Sequence, residues 1–353
     1  MSGRYIDFHT HSLASDGTDA PRELIRKAAA VGLAAVALTD HDSMDGLDEA
    51  EREASRAGIR FVRGLEIAVR DGPDELHLVG LWMPRPSKRM RRYLSTLKEN
   101  RNIRNQAMLD ELRRLGMPLS MDDLCRAAGR EPAASAAGEA IPAGAGAFGG
   151  RGRSKGGSDT EPGATKTAPD PGQGPGPGSE QGSGRGPEGA ARPPGSLGRP
   201  HMALAMYNKG YVLSRKQAFE RYIGNGGKAF VPRKLSSPEE GIGLLCGEGA
   251  TVALAHPCLA PDMDQRRLDD ILRRLRSYGL TALEAYHSVH TPAQVRMCVD
   301  LAEKHGLLLS GGSDYHGGNK ECIHLGVGMG SLRVPLFLYE KMRDHRKKAG
   351  LPA

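Results

Sequence analysis

Short apolar runs and helical periodicities alternate at both ends of the chain. RYIDF (4–8) reads as a strand, and APRELIRKAAAV (20–31) as a helix with Thr18 or Asp19 as cap, Pro21 in its first turn and Gly32 as its stop. LAAVALT (33–39) has the pattern of a buried strand, and Ser43 is placed to cap a helix ending near Gly58. IRFVRGLEIAV (59–69) and ELHLVGLWM (75–83) read as two further strands. Towards the C-terminus the alternation resumes, with a helix over 237–247, strand ATVALAH (250–256), a helix over 264–277 and strand TALEAY (281–286). A helix over 291–305 then opens on Thr291 and Pro292, and LLLSGGSDYH (307–316) is the last strand with its exit loop. Strands that each lead into a helix argue for a parallel sheet with crossover helices. Six or seven such strands suit an α/β fold of the closed or nearly closed barrel type better than an open sheet.

The middle of the chain breaks this rhythm. Residues 88–115 form one long basic helical stretch ending at Gly116, and 120–128 a short helix capped by Ser120. Residues 201–208 and 214–223 read as two more helices. The spacing therefore predicts a discontinuous barrel over 1–84 and 236–353, with a helical insert over 85–128 and 199–235. Between the two halves of the insert, residues 129–198 hold 20 glycines and 10 prolines in 70 positions, with Ile141, Phe148 and Leu197 as the only large apolar residues. Such a tract buries too little surface to offset its ordering entropy and is expected to be a disordered loop. The 283 residues outside it suffice for one large core.

Charge sharpens the reading of the insert. The formal net charge is +7, and the Gly/Pro tract carries equal numbers of acids and bases, so the whole excess falls on the remainder. Between Arg85 and Arg104 stand eight Lys or Arg against one acid, Glu99. That run is either a solvated helix face or a surface that attracts a polyanionic substrate. Aromatic residues make up 5% of the chain, which argues against an RNA module built on base stacking. The five cysteines form no C-x-x-C pair and are read as reduced thiols. No run approaches 18 apolar residues and the first residues lack the apolar stretch of a secretory signal, so a cytoplasmic protein with no membrane contact is expected.

The histidines cluster at strand ends. His9 and His11 close the first strand, two apart and hence on one face. Asp16 follows in a polar loop, His41 lies beyond the second strand in LTDHD, Glu66 near the end of the third, and His77 in the fourth. His256 ends the fifth, and Asp314 and His316 end the last, again two apart. Singly, each has a bland reading: Asp16 as a turn residue, Glu66 as an ion-pair partner, a histidine as a satisfied core residue. Together they would meet where barrel active sites form, at the carboxyl ends of the strands. Imidazole and carboxylate without thiolate favour Mn, Zn or Fe, and nine donors exceed one ion's needs. Asp40 is left outside this set as a supporting or capping residue. Clustered cations suit phosphate esters, because they make a bridging hydroxide from water and neutralise the phosphoryl oxygens. No Ser-His-Asp set or P-loop is present.

DFHTHS, LTDHD, GLEI, the histidine of ELHLVG, LAHP and GSDYH resemble, in order, the motifs of the polymerase and histidinol phosphatase (PHP) superfamily. The resemblance covers roughly 1–84 and 236–330. It implies a distorted seven-stranded β/α barrel and three divalent ions: His9, His11 and Asp314 with Glu66 on one, Glu66, His77 and His256 on a second, Asp16, His41 and His316 on a third. The long insert, followed by Arg199-Pro200-His201 opening a helix, is similar to the nucleoside 3′,5′-bisphosphate phosphatases, relatives of which are 5′-to-3′ exoribonucleases on short RNA. A helix start with Arg199 suits a phosphate, with His201 either a contact or a cap. Arg233 and Lys234 are further candidates.

The expected function is metal-dependent hydrolysis of a phosphate from a small phosphorylated nucleotide, or 5′ nucleotides from short RNA. The expected attacking group is a metal-bridging hydroxide, and no residue is assigned as general acid. The alternatives are a histidinol-phosphate phosphatase and a non-catalytic metal-binding PHP module. No protein partner is evident in the sequence.

Overall fold

The computed structural model describes residues 4–129, 196–260 and 262–353. Its first half runs β1 (Tyr5–Asp7), α1 (Pro21–Ala30), β2 (Ala35–Leu38), α2 (Leu47–Ala57), β3 (Arg60–Asp71) and β4 (Asp74–Leu81). The insert follows as α3 (Lys88–Arg114), α4 (Met121–Ala127), α5 (Arg199–Asn208) and α6 (Arg215–Ala218), the last continued by a π-turn over Phe219–Ile223. The chain closes with α7 (Pro238–Gly247), β5 (Thr251–Leu254), α8 (Gln265–Ser277), β6 (Ala282–His287), α9 (Pro292–Lys304), β7 (Leu308–Gly312), β8 (Val334–Pro335) and α10 (Leu336–Lys348).

The strands form one sheet in the order β7-β6-β5-β4-β3-β2-β1-β8. Beyond β1 and β7 the chain keeps pairing: Phe8 N donates to Gly311 O at 3.1 Å, Asp314 N to His9 O at 2.9 Å, and His11 N to Tyr315 O at 2.8 Å. These bonds bring β7 back to β1 and make the sheet an almost closed barrel. Gly312 permits the approach, since a Cβ there would lie 2.3 Å from His9 N. The sheet is not purely parallel as the alternation predicts: β3–β4, β4–β5 and β1–β8 are antiparallel. Only Gly72 and Pro73 separate β3 from β4, too short a link for a crossover.

Alternate strand residues fill the two faces. Val36 and Leu38 of β2 join a large cluster with Leu24, Leu47, Leu272 and Leu301 of the surrounding helices. Ala35 and Ala37 point the other way and join Ile6, Phe8, Val79 and Ala253, covered by Leu338 and Met342 of α10. Burial on both faces explains why LAAVALT has no polar alternation. A third cluster is drawn from the insert alone, with Met108, Leu112, Leu124, Met202, Met206 and Ile223.

Local signals hold at Ser120 and Thr291, each of which caps its helix with its side-chain oxygen. Two caps differ. Ala20, not Thr18 or Asp19, precedes α1, and Asp19 instead holds Lys27 at 2.6 Å and the Tyr315 hydroxyl at 2.7 Å. Ser43 accepts from Asp45 N, and α2 starts later, after Gly46. The loop expected over 129–198 falls, at 130–195, outside the described residues. At its C-terminal edge Leu197 is buried in the insert cluster, and its carbonyl accepts from Asn105 Nδ2 at 3.1 Å.

Candidate metal centre

All nine donors predicted from the sequence meet on one floor of the barrel, and Glu66 stands at its middle. Its Oε1 lies 2.8 Å from His77 Nδ1 and 3.2 Å from His256 Nε2. Its Oε2 lies 2.9 Å from His41 Nδ1, 3.3 Å from His11 Nε2 and 3.4 Å from His9 Nε2. On one side, Asp314 Oδ1 lies 3.4 Å from both His11 Nε2 and His316 Nδ1. On the other, Asp16 Oδ1 lies 3.4 Å from His316 Nε2, and its Oδ2 3.9 Å from His41 Nε2. The donors fall into overlapping sets: His9, His11 and Asp314; His9, Glu66 and His256; His41, Glu66 and His77; and His11, Asp16, His41 and His316.

His77 reaches this floor for a reason different from the one expected. It sits near the start of β4, not at a carboxyl end. Because β4 runs antiparallel to β3, with His77 opposite Ala68, the start of β4 meets the end of the parallel strands. His256 and Asp314 adopt φ of 29° and 56°, in the left-handed region. Such backbone costs about 1–3 kcal/mol per residue and persists where the surroundings hold it.

The donor set fits divalent cations. His9 Nε2, both ring nitrogens of His11 and Glu66 Oε2 are buried without a hydrogen-bond partner. Each such orphan costs about 1–3 kcal/mol unless something accepts its lone pair, and these atoms face one another. Without cations, protons divide unevenly. Burial opposes ionisation of Glu66, Asp16 and Asp314, but neighbouring His41, with His9 or His316, and Lys320 at Asp314, hold all three well below the carboxylate range. Burial likewise opposes a charged His77, yet Glu66 and Glu75 raise it to about 9, whereas burial leaves His256 at about 4.

A supporting layer orients the donors. Glu284 Oε1 lies 3.0 Å from His9 Nδ1, and its Oε2 accepts from His256 N at 2.6 Å. Asp7 accepts from Ser313 Oγ at 2.6 Å and from the Ser313 and Gly326 amides at 2.8 Å each. Asp40, kept outside the ligand set, accepts from Ser12 N and Oγ at 2.7 Å and from Ser15 Oγ at 2.6 Å. The sequence reading missed Glu284, although an acid inside the buried strand TALEAY is a visible anomaly.

Above the floor opens a cavity of about 380 Å³. Asp16, His41, His77, His316 and Lys320 line one side, and Arg101, Arg104, Arg199, Arg215 and Arg233 line it from the insert. Arg101 and Arg233 share the single carboxylate of Asp42. Arg104 forms no ion pair among the described residues, and burial, then Arg101 and Arg199, push its guanidinium below the usual range. Arg199 donates to Asn225 Oδ1 at 3.1 Å and stacks over Phe230. The basic run on α3 is thus partly a cavity wall and not only a solvated face.

Two predicted contacts lie elsewhere. His201 is buried, and its Nδ1 accepts the Gly198 N–H at 3.0 Å, so it closes the start of α5 and does not line the cavity. Lys234 is exposed and also outside the lining.

Residues 7–114 match the family model of the PHP domain. The chain is 27% identical over 314 residues to a 3′,5′-nucleoside bisphosphate phosphatase of Chromobacterium violaceum, covering 88% of this chain and 87% of the relative. It is 27% identical over 316 residues to a 5′-3′ exoribonuclease of Haemophilus influenzae, covering 90% and 91%. A solved structure from Bifidobacterium adolescentis, described as a presumed metal-dependent phosphoesterase, shares the fold with a TM-score of 0.71 over 96% of this chain and 95% of that chain, at 24% identity. A barrel with this donor floor defines a metalloenzyme of the β/α-barrel class. Within the chain, residues 7–114 carry the match to the PHP domain, and the relatives of similar length are named as phosphoester hydrolases.

Proposed function

We propose that this phosphoester hydrolase removes a phosphate from nucleoside 3′,5′-bisphosphates. One observation carries the reading: a single cavity sets a wall of five guanidiniums against the donor floor. A substrate with two phosphates matches both, one over the floor and one against the wall. A volume of about 380 Å³ lies within the usual range for small-molecule sites, about 300–1,000 Å³. The relatives named as a bisphosphate phosphatase and an exoribonuclease support the same chemistry.

Three ions would be held by His9, His11, Asp16, His41, Glu66, His77, His256, Asp314 and His316, with Glu66 shared between sets. Bound there, divalent cations would acidify water for attack on phosphorus and neutralise the phosphoryl oxygens. The chain's own residues do the rest. Arg199 and Arg104 grip the remote phosphate, and Arg101 and Arg233, held by Asp42, fix the shape of that wall. Glu75, 3.6 Å from His77, separates wall from floor, and burial notwithstanding, His77 and Arg233 keep it ionised with a pKa of about 2. Phe230, beneath Arg199, offers an apolar surface for a base.

The wall counts against histidinol phosphate, whose organic part is a cation. The nine converging donors count against a non-catalytic module. The test is phosphate release from a panel of a 3′,5′-bisphosphate, a short 5′-phosphorylated RNA, histidinol phosphate and an aryl phosphate. The reading requires the bisphosphate to have the highest kcat/KM. Preference for histidinol phosphate would overturn it, and preference for RNA would make the bisphosphate a truncated substrate whose 3′-phosphate stands for the scissile diester.

A further inference from the structure

We infer that Cys258, His290 and Cys298 form a separate binding site for one zinc ion, distinct from the donor floor. Cys258 lies in the short turn Pro257–Leu259 after β5, His290 in the loop between β6 and α9, and Cys298 within α9. The turn after β5 and the more distant loop-to-α9 segment thus bring two thiols and an imidazole together, with all donor atoms within 4.8 Å of one another.

The geometry is that of a metal site. The two sulfurs are 3.8 Å apart. Tetrahedral zinc with Zn–S bonds of about 2.3 Å separates its sulfurs by about 3.8 Å, whereas a disulfide needs about 2.05 Å. His290 is prepared for ligation: its Nδ1 lies 2.9 Å from Ala285 O, which places the ring proton on Nδ1 and the lone pair on Nε2. That Nε2 is buried and has no hydrogen-bond partner.

Charge balance agrees. Two thiolates and a neutral imidazole offset a dication, so the filled site carries no net charge, and the two thiol protons pass to solvent on binding. Soft sulfur donors select zinc over manganese or magnesium, in contrast to the thiolate-free floor. Three protein donors leave one tetrahedral position, which water can fill on the half-exposed side of Cys258. Cys258 stands two residues after His256, whose backbone is held at φ 29°. Zinc would therefore clamp the turn that presents His256 to α9.

Cobalt(II) substitution separates the two sites. The full chain is kept reduced with a phosphine, depleted of metal and titrated with cobalt. Thiolate-to-cobalt charge transfer absorbs in the near ultraviolet, and the floor, having only nitrogen and oxygen donors, cannot produce it. The expected result is a charge-transfer band whose limiting intensity corresponds to one cobalt per chain, is displaced by zinc, and disappears in Cys258→Ser and Cys298→Ser. Cys258 is half-exposed, so its variant reports even if the buried Cys298→Ser fails to fold. Absence of the band in the reduced wild-type chain, or its survival in Cys258→Ser, would overturn the proposal. A Cys258–Cys298 disulfide that persists in reductant would overturn it too.

Discussion

Glu284 holds His9 by its Nδ1, at 3.0 Å, and so turns Nε2 of that ring towards Glu66 and Asp314. Burial alone would raise the Glu284 pKa, but His9 brings it down to about 2, so the partner is a carboxylate at any working pH. Carboxylates behind a ligating histidine commonly contribute 10–100-fold to metal affinity, roughly 1.4–2.7 kcal/mol. Glu284→Gln is expected to weaken metal binding by about that factor while leaving the fold intact, as read by metal titration beside circular dichroism. Unchanged affinity would mean that Glu284 only fills the barrel.

Arg199 should matter only for substrates with a second phosphate. A charge-assisted contact of this kind contributes about 1.5–3 kcal/mol, roughly 10–200-fold. Arg199→Ala should lower kcat/KM by that factor for a 3′,5′-bisphosphate and barely change it for an aryl phosphate. Metal content should not change, since a guanidinium is not a ligand. Equal losses on both substrates would place Arg199 in the support of the floor.

Metal uptake should release protons. Against the effect of burial, Glu66 and Glu75 raise His77 from 6.5 to about 9 in the metal-free protein. Its raised pKa stabilises the metal-free fold fully below pH 6.5, and this contribution is lost as the pH rises through about 9. Binding a cation requires the opposite, a neutral ring. Apparent metal affinity should therefore climb about tenfold per pH unit for this proton up to pH 9 and then level, while the Tm of the metal-free chain falls over the same range. Proton release, measured in weak buffer, should be larger at pH 7 than at pH 10. Equal release at both would contradict the assignment.

The boundary of the Gly/Pro tract can be located by deletion. A linker replacing 130–195 should leave metal content and thermal midpoint nearly unchanged, because lengthening or shortening a loop changes stability by about 0.6 kcal/mol per doubling. Extending the deletion through Leu197 removes a residue only 8% exposed and orphans Asn105 Nδ2. Loss of a buried leucine side chain typically costs about 2–5 kcal/mol, so that variant should melt well below the first. Equal midpoints for the two deletions would show that Leu197 bears no load.

The barrel and its nine donors were legible because they leave local traces: H-x-H and D-x-H pairs at strand ends, and apolar runs of strand length. The direction of β4, on which the position of His77 depends, is legible only from the shortness of the link between β3 and β4, which allows a hairpin and no crossover, and not from the strand–helix alternation. For Arg101 and Arg104 the choice between a solvated face and a substrate-attracting surface stays open in the sequence, because helical periodicity does not say which partner a polar stripe meets. His201 carried the motif expected of a phosphate contact, but the Gly198 amide took its ring nitrogen. The grouping of Cys258, His290 and Cys298 had no signal at all, as forty residues separate the two thiols.

The central claim is that Glu66 is the shared ligand of a multi-ion centre on which hydrolysis depends. Its most direct test is metal content and phosphate release, measured together, for the wild-type chain and Glu66→Gln. The wild-type chain should bind more than one divalent ion on the floor and release phosphate from a 3′,5′-bisphosphate only when they are present. Glu66→Gln should lose ions and activity together while keeping its secondary structure. A Glu66→Gln protein with its full complement of ions and near-normal phosphate release would contradict the account.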